Sequence, residues 1–231
     1  MTTSRLEIDH LFVFVEPDFV DSADFAALRR FGLKLDFGRV HHGQGSANRL
    51  ALFPEQSLEF LWLAEREAAE HNPLRLDRRA DWRARGGDPF GVCLRGRLDP
   101  DLRERWFWPY ALPGSALDPI WIARLSDDPR WPMLFVFDTE LDTRPRALGY
   151  PPALFEHEGG QTKIREATLT CSADFVGLLE PLAAILPSEL RFRAGLEPQL
   201  ELVIEGRRVD TLEIAPLTLT SVIAGSTTHE G

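Results

Sequence analysis

One order of elements occurs twice in this 231-residue chain, once near each end. The run EIDHLFVFV (Glu7 to Val15) reads as a strand. A helix follows, with Phe25, Leu28 and Phe31 on one stripe and Gly32 to end it. Three more strand-like runs, LKLDFGRV, ANRLALF and SLEFLWL, carry the chain to Leu63. Near the other end, KIREATLTC is a strand and Ser172 caps a helix striped by Phe175, Leu178, Leu179, Leu182 and Ile185. ELRFRAG, PQLELVIEG and RRVDTLEIA then follow, the last two pairing around Gly206. Each copy is β-α-β-β-β, and a repeated unit of this kind constrains the fold more than any single motif. The repeat divides the chain into a first module at 1–63, a less regular middle at 64–160 of intervening strands (PFGVCLRG and WPMLFVFD), helices and a Pro/Gly-rich connector, a second module at 161–224 and a tail, 225–231, expected to fray.

Strand parity selects the side chains that matter. In the first strand Ile8, His10, Phe12 and Phe14 share one face, and Leu11, Val13 and Val15 the other. Both faces are apolar, as in a sheet with a helix on one side and a closed hollow on the other. His10 therefore points into that hollow. In SLEFLWL, Ser57, Glu59, Leu61 and Leu63 share a face, which puts a second ionisable group inside an apolar run. A buried lone carboxylate needs a proton, a partner or a metal.

IDHLFVFV, the HHGQGSANRLALF loop and strand, and SLEFLWL together resemble the glyoxalase-like domains of the vicinal oxygen chelate superfamily, most closely over Ile8 to Leu63. The resemblance implies an α+β fold: two βαβββ modules whose sheets form a half-open mixed β-barrel around a cavity, with the irregular middle as an insertion. It also implies metal ligands from the first and last strands of modules, and the "DH" pair and the Glu of the fourth strand mark His10 and Glu59 as such. Sliding IDHLFVFV onto IREATLTC places Glu166 where His10 stands, and sliding SLEFLWL onto TLEIAPL places Glu213 where Glu59 stands. One imidazole and three carboxylates would then converge, a set suited to Zn²⁺, Mn²⁺, Fe²⁺, Ni²⁺ or Co²⁺. Metal-binding relatives commonly have His at the place of Glu166.

The expected chemistry is that of a metal-dependent lyase, isomerase or dioxygenase. A small substrate would chelate the ion through neighbouring oxygens, and Glu59 or Glu213 would move a proton. Asn48 and Arg49 enter the third strand, and one of them should face the cavity and orient a polar group. Phe12 and Trp108 are expected to wall the pocket. The alternative is a barrel that sequesters a small molecule without turnover, with His10 and Glu59 merely bonded to each other. A third reading makes the Trp-rich middle a patch for a protein partner.

Other features read more plainly. HGQGSAN lacks the second glycine of a nucleophile elbow and the Lys-Ser/Thr pair of a phosphate loop, so its glycines serve a sharp turn, and His41 and His42 are loop residues. Arg75, Arg78, Arg79, Arg83 and Arg85, with Trp82 among them, form a solvated helix face. Trp62, Trp106 and Trp121 are core. A net charge of −10 argues against nucleic acid as a partner. No run is long enough to span a membrane and no leader is visible, which with two unspaced cysteines points to the cytoplasm. A homodimer is compatible with the family.

Overall fold

The computed structural model of the chain describes residues 6–115, 118–141 and 149–225. The first module keeps the expected order, β1 (Glu7–Phe14), α1 (Ala23–Phe31), β2 (Val40–His41), β3 (Ser46–Leu52) and β4 (Ser57–Leu63), but LKLDFGRV pairs only at an isolated bridge from Phe37 and at Val40, and β2 takes in His41. The Ser22 side chain accepts from the Phe25 amide at 3.1 Å to start α1, and Gly32, at φ 105°, ends it in the left-handed conformation that glycine adopts without steric cost.

Three short helices, α2 (Arg66–His71), α3 (Leu76–Ala80) and α4 (Trp82–Arg85), lead into the segment that the sequence sets aside as irregular. That segment is itself a βαβββ unit: β5 (Phe90–Gly96), α5 (Pro100–Trp106), β6 (Phe107–Tyr110), β7 (Ile120–Ala123) and β8 (Met133–Asp138). The eight strands make one sheet in the order β2-β3-β4-β1-β5-β8-β7-β6, with β1 and β5 antiparallel at the seam between units. The partner of the first module is thus residues 90–138 and not the C-terminal segment. β5 and β8 are the runs PFGVCLRG and WPMLFVFD, which read as strands, whereas β6 and β7 escape sequence reading because they have four residues each and β6 contains Pro109, which an edge strand tolerates.

The C-terminal segment builds a second sheet from β9 (Lys163–Cys171), β10 (Leu190–Ala194), β11 (Gln199–Gly206), β12 (Asp210–Ile214) and β13 (Leu217–Ile223), in the order β10-β9-β11-β13-β12. Helix α6 (Ala173–Leu178) is shorter than its apolar stripe, since Pro181 turns the continuation into a 3₁₀ segment, Glu180–Ile185, and leaves Leu178 exposed. The second sheet repeats the middle five strands of the first. In both, the sense along the order runs parallel, antiparallel, parallel, antiparallel.

One core joins the two sheets and α1, with Leu11, Val13, Phe60 and Val92 from the first sheet and Ile164, Leu169, Leu202 and Leu219 from the second. A separate cluster, including Phe12, Phe14, Leu61, Ile122 and Phe135, lies on the other face of the first sheet. The assigned tail beyond Gly225 lies outside the described residues. No helix among the described residues is long and apolar enough to cross a membrane.

The arginine face is solvated except at Arg79, which is 2% exposed. Its guanidinium donates to the carbonyl oxygens of Trp131 and, at 2.6 Å, Ser126, tying α3 to the β7–β8 connection.

Candidate functional site

A bulge in β1 sets the geometry of the site. The ladder with β5 pairs Ile8 with Leu94 and His10 with Cys93, so Asp9 is the extra residue. The bulge breaks the alternation expected from the sequence. Ile8 joins the inter-sheet core with Leu11 and Val13, while Asp9 and His10 both line the hollow on the other face. Two successive side chains can therefore meet: the His10 Nδ1–Asp9 Oδ1 distance is 2.7 Å. A carboxylate only accepts, so Nδ1 carries the proton and Nε2 presents its lone pair to the cavity. Burial holds the His10 imidazole below its ordinary pKa, with Glu59 pulling the other way.

Parity holds on the other two strands. Ser46, Asn48, Leu50 and Leu52 of β3 and Ser57, Glu59 and Leu61 of β4 line the same hollow of about 490 Å³. Glu59 Oε2 lies 3.6 Å from His10 Nε2, too far for a hydrogen bond and with lone pairs on both atoms. The other oxygen, Oε1, accepts from Asn48 Nδ2 at 2.5 Å. Asn48 Oδ1 accepts from the Arg39 amide at 2.7 Å, which fixes the orientation of the amide. The same Nδ2 lies 3.3 Å from His41 Nε2, so that nitrogen accepts and His41 Nδ1 donates to Ser46 Oγ at 3.0 Å. Burial lowers the His41 pKa as well, against Glu59.

The wall opposite is hydrocarbon. The second unit contributes Leu112, Ile120, Met133, Phe135 and Phe137, and the helical connection adds Leu74 and Leu76. Phe135 meets the imidazole edge-on, with ring centroids 5.4 Å apart.

Of the residues singled out in the sequence, His10, Glu59, Asn48 and Phe12 line the hollow. Glu166 and Glu213 do not reach it, because their strands belong to the second sheet. Glu166 pairs with Arg191 at 2.7 Å, and Glu213 is exposed on β12. Arg49 is on the opposite face of β3 from Asn48 and is not in the lining, nor is Trp108, whose Nε1 donates to Asp127 at 2.9 Å. Sequence reasoning passes over Asp9, which parity assigns to the wrong face, and His41, which reads as a loop residue. The adjacency of Asp9 to His10 is the one signal that could have flagged the former.

As metal donors, His10 Nε2 and Glu59 Oε2 converge on one point, and the Asp9–His10 bond is the outer-shell contact that orients a ligating imidazole. Asp9, His10 and Cys93 also place one donor atom each within 4.8 Å of one another, on the Nδ1 side. That side is already filled by the Asp9–His10 hydrogen bond, whereas the Glu59 side opens into the cavity. Two converging protein donors fit a divalent ion whose other positions are left to water and to oxygens of a ligand.

A two-unit βαβββ sheet curled around a cavity with His and Glu on its first and fourth strands defines the glyoxalase-like class of the vicinal oxygen chelate fold. The family model for the glyoxalase-like domain matches residues 8–175, which take in both units of the first sheet, and the chain belongs to that family. It is similar in structure to a hypothetical protein from Staphylococcus aureus, with a TM-score of 0.64 at 13% identity over 94% of this chain and 99% of that one. The second sheet is therefore part of the shared architecture. Other matches are a xylose isomerase-like TIM barrel/4-hydroxyphenylpyruvate dioxygenase fusion protein (TM-score 0.48, 12% identity, 86% of this chain and 36% of that one). Methylmalonyl-CoA epimerase from Mycobacterium tuberculosis also matches (TM-score 0.39, 19% identity, 62% of this chain and 97% of that one). Among curated proteins, no sequence matches the chain.

Proposed function

We propose that the chain is an enzyme that shifts a proton beside an oxygen of a small substrate, an isomerase or lyase reaction, with a divalent ion held between His10 and Glu59. The observation that carries this reading is the 3.6 Å gap between His10 Nε2 and Glu59 Oε2, two lone-pair donors facing each other with no hydrogen bond between them. When bound, the ion supplies Lewis-acid polarisation of a substrate oxygen. Asp9 holds the imidazole in the tautomer that turns the Nε2 lone pair toward Glu59. Asn48 holds Glu59 by Oε1, so that Oε2 stays aimed into the cavity. Released from the ion, Oε2 would take the proton from the carbon beside the substrate oxygen and return it to a neighbouring carbon in an isomerisation, or to the departing group as its bond breaks in an elimination, so either reaction closes without a further reactant. Phe135 and Phe137 keep water from that side of the imidazole.

The apolar wall favours a second reading, sequestration without turnover. Metal analysis of untagged protein separates the two. The enzyme reading expects about one Mn²⁺ or Co²⁺ per chain, lost in His10→Ala and in Glu59→Gln. The Co²⁺ form should lack a thiolate charge-transfer band, because the ion sits on the Glu59 side and not beside Cys93. Protein that takes up no ion from added Mn²⁺, Zn²⁺ or Co²⁺ would leave sequestration as the function.

A further inference from the structure

Resting on that reading of His10 and Glu59, we propose that the substrate is an amphipathic carboxylic acid. Its acid group meets Arg39 at the cavity rim, its oxygenated carbon meets His10 and Glu59, and its hydrocarbon tail lies along Met133, Phe135 and Ile120.

Size is the first argument. At ~30 Å³ per water in the liquid, a hollow of about 490 Å³ holds on the order of sixteen water volumes. A three-carbon oxygenated substrate would leave most of that space to water.

The second argument is the division of the wall. Among the described lining residues, the groups able to hydrogen-bond come from the first unit (Asp9, His10, Arg39, His41, Gln44, Ser46, Asn48, Ser57 and Glu59) except for Tyr150 of the connector, and those of the second unit are apolar. Apolar surface left against water is the surface a ligand tail covers most favourably. A ligand polar throughout would strand its groups on Met133 and Phe135.

Charge is the third. Among the described residues Arg39 is the one cationic side chain other than histidine in the lining. Its guanidinium lies 5.2 Å from the Phe37 ring centroid and 5.3 Å from that of Tyr150, and it donates to Tyr150 Oη at 2.7 Å. Among the described residues no carboxylate forms an ion pair with it. Against the carboxylates of Asp9 and Glu59, a dication and Arg39 make the loaded site net positive by one charge, which selects a monoanion.

The test is calorimetric titration of Mn²⁺-loaded protein with 2-oxobutanoate, 2-oxooctanoate and 2-oxododecanoate, with dodecylamine as the cationic control. Affinity should rise about three- to fourfold per added methylene until the wall is covered, and the amine should bind more weakly than the acid of equal length. Arg39→Gln should weaken all three acids about five- to tenfold and leave the slope with chain length intact. Phe135→Ser should flatten the slope, and Leu112→Glu, a change at a half-buried position that the fold should tolerate, should flatten it too. A flat series, or an amine that binds as well as the acid, overturns the proposal. If the protein takes up no ion, the reading of His10 and Glu59 fails separately. Octanol and dodecanol then report on the tail: a retained chain-length slope keeps the apolar subsite, and its absence overturns that as well.

Discussion

Glu166 holds in β9 the place that His10 holds in β1. Each follows a bulge residue, Asp9 in one strand and Arg165 in the other, and each lies across from the central antiparallel partner, His10 opposite Cys93 and Glu166 opposite Val203. The register extends the match one strand outward. Phe12 pairs with Glu59, and Thr168, two residues past Glu166, pairs with Arg191. Arg191 thus stands where Glu59 stands. The second sheet closes a 2.7 Å ion pair at the position where the first leaves an imidazole and a carboxylate 3.6 Å apart. The same topology serves structure in one sheet and an open pair of donors in the other.

That contrast predicts a chemical swap. Arg191→Ala removes a half-exposed pair and should cost less than about 1 kcal/mol of stability, read by urea unfolding. Metal uptake at His10 should be unchanged. Loss of the ion on this substitution would mean the two sheets are coupled in a way the register does not explain.

Asp9 should matter more than its burial alone suggests. Asp9→Asn keeps shape but offers His10 Nδ1 an amide instead of a carboxylate. Mn²⁺ affinity should fall about 10–100-fold, the range for outer-shell partners of ligating histidines, with little change in melting temperature. Calorimetric metal titration measures it, and wild-type affinity would remove Asp9 from the site.

Arg79→Met should destabilise the fold by about 2–4 kcal/mol, since it strands the buried carbonyls of Trp131 and Ser126. Chemical denaturation gives the value. A near-neutral result would mean water takes the place of the guanidinium.

His157 predicts a pH dependence away from the cavity. Its Nδ1 accepts from the Lys34 amide and its Nε2 donates to the Leu52 carbonyl, both at 2.9 Å, which requires the neutral ring. Burial holds its pKa below 6.5 in the folded chain, while the unfolded chain protonates at about that value. The unfolded state then binds more protons, so this contribution is complete above pH 6.5 and drains as pH falls toward the folded value. Melting temperature measured from pH 7.5 to 5 should drop, and His157→Gln should flatten that part of the curve.

Asp88 works in the opposite sense. Burial pushes its carboxyl up to about 7, although the Phe90 amide donates to it and Arg79 lies nearby. The unfolded chain gives up this proton near 3.8, so the contribution of the neutral acid is complete below that value and drains as pH rises to about 7. Asp88→Asn should therefore stabilise the protein at pH 8, by about 4 kcal/mol, and do little near pH 3.5. Equal effects at both pH values would contradict this.

Much of the site was legible because β3 and β4 alternate cleanly. Asn48 and Glu59 fall on the cavity face by counting in twos. Asp9 was not legible, because a bulge is a ladder property and leaves no mark in the composition of β1. The repeat between β1 and β9 was visible in the sequence and corresponds to equivalent places, but residue spacing does not say which strands share a sheet. Glu166 was therefore drawn toward His10 although their equivalence keeps them apart. In the second unit of the first sheet β5 and β8 read as strands, but β6 and β7 are hidden by brevity: four residues each, with a proline among them, carry too few side chains to show a period.

The bulge at Asp9 also limits what the N-terminal strand can tolerate. Removing Asp9 would restore regular pleating and keep His10 on the cavity face, but leave its ring without the acid that orients it. Insertions or deletions anywhere else along β1 would shift its register, but only here would one lost residue leave the strand paired and silence it.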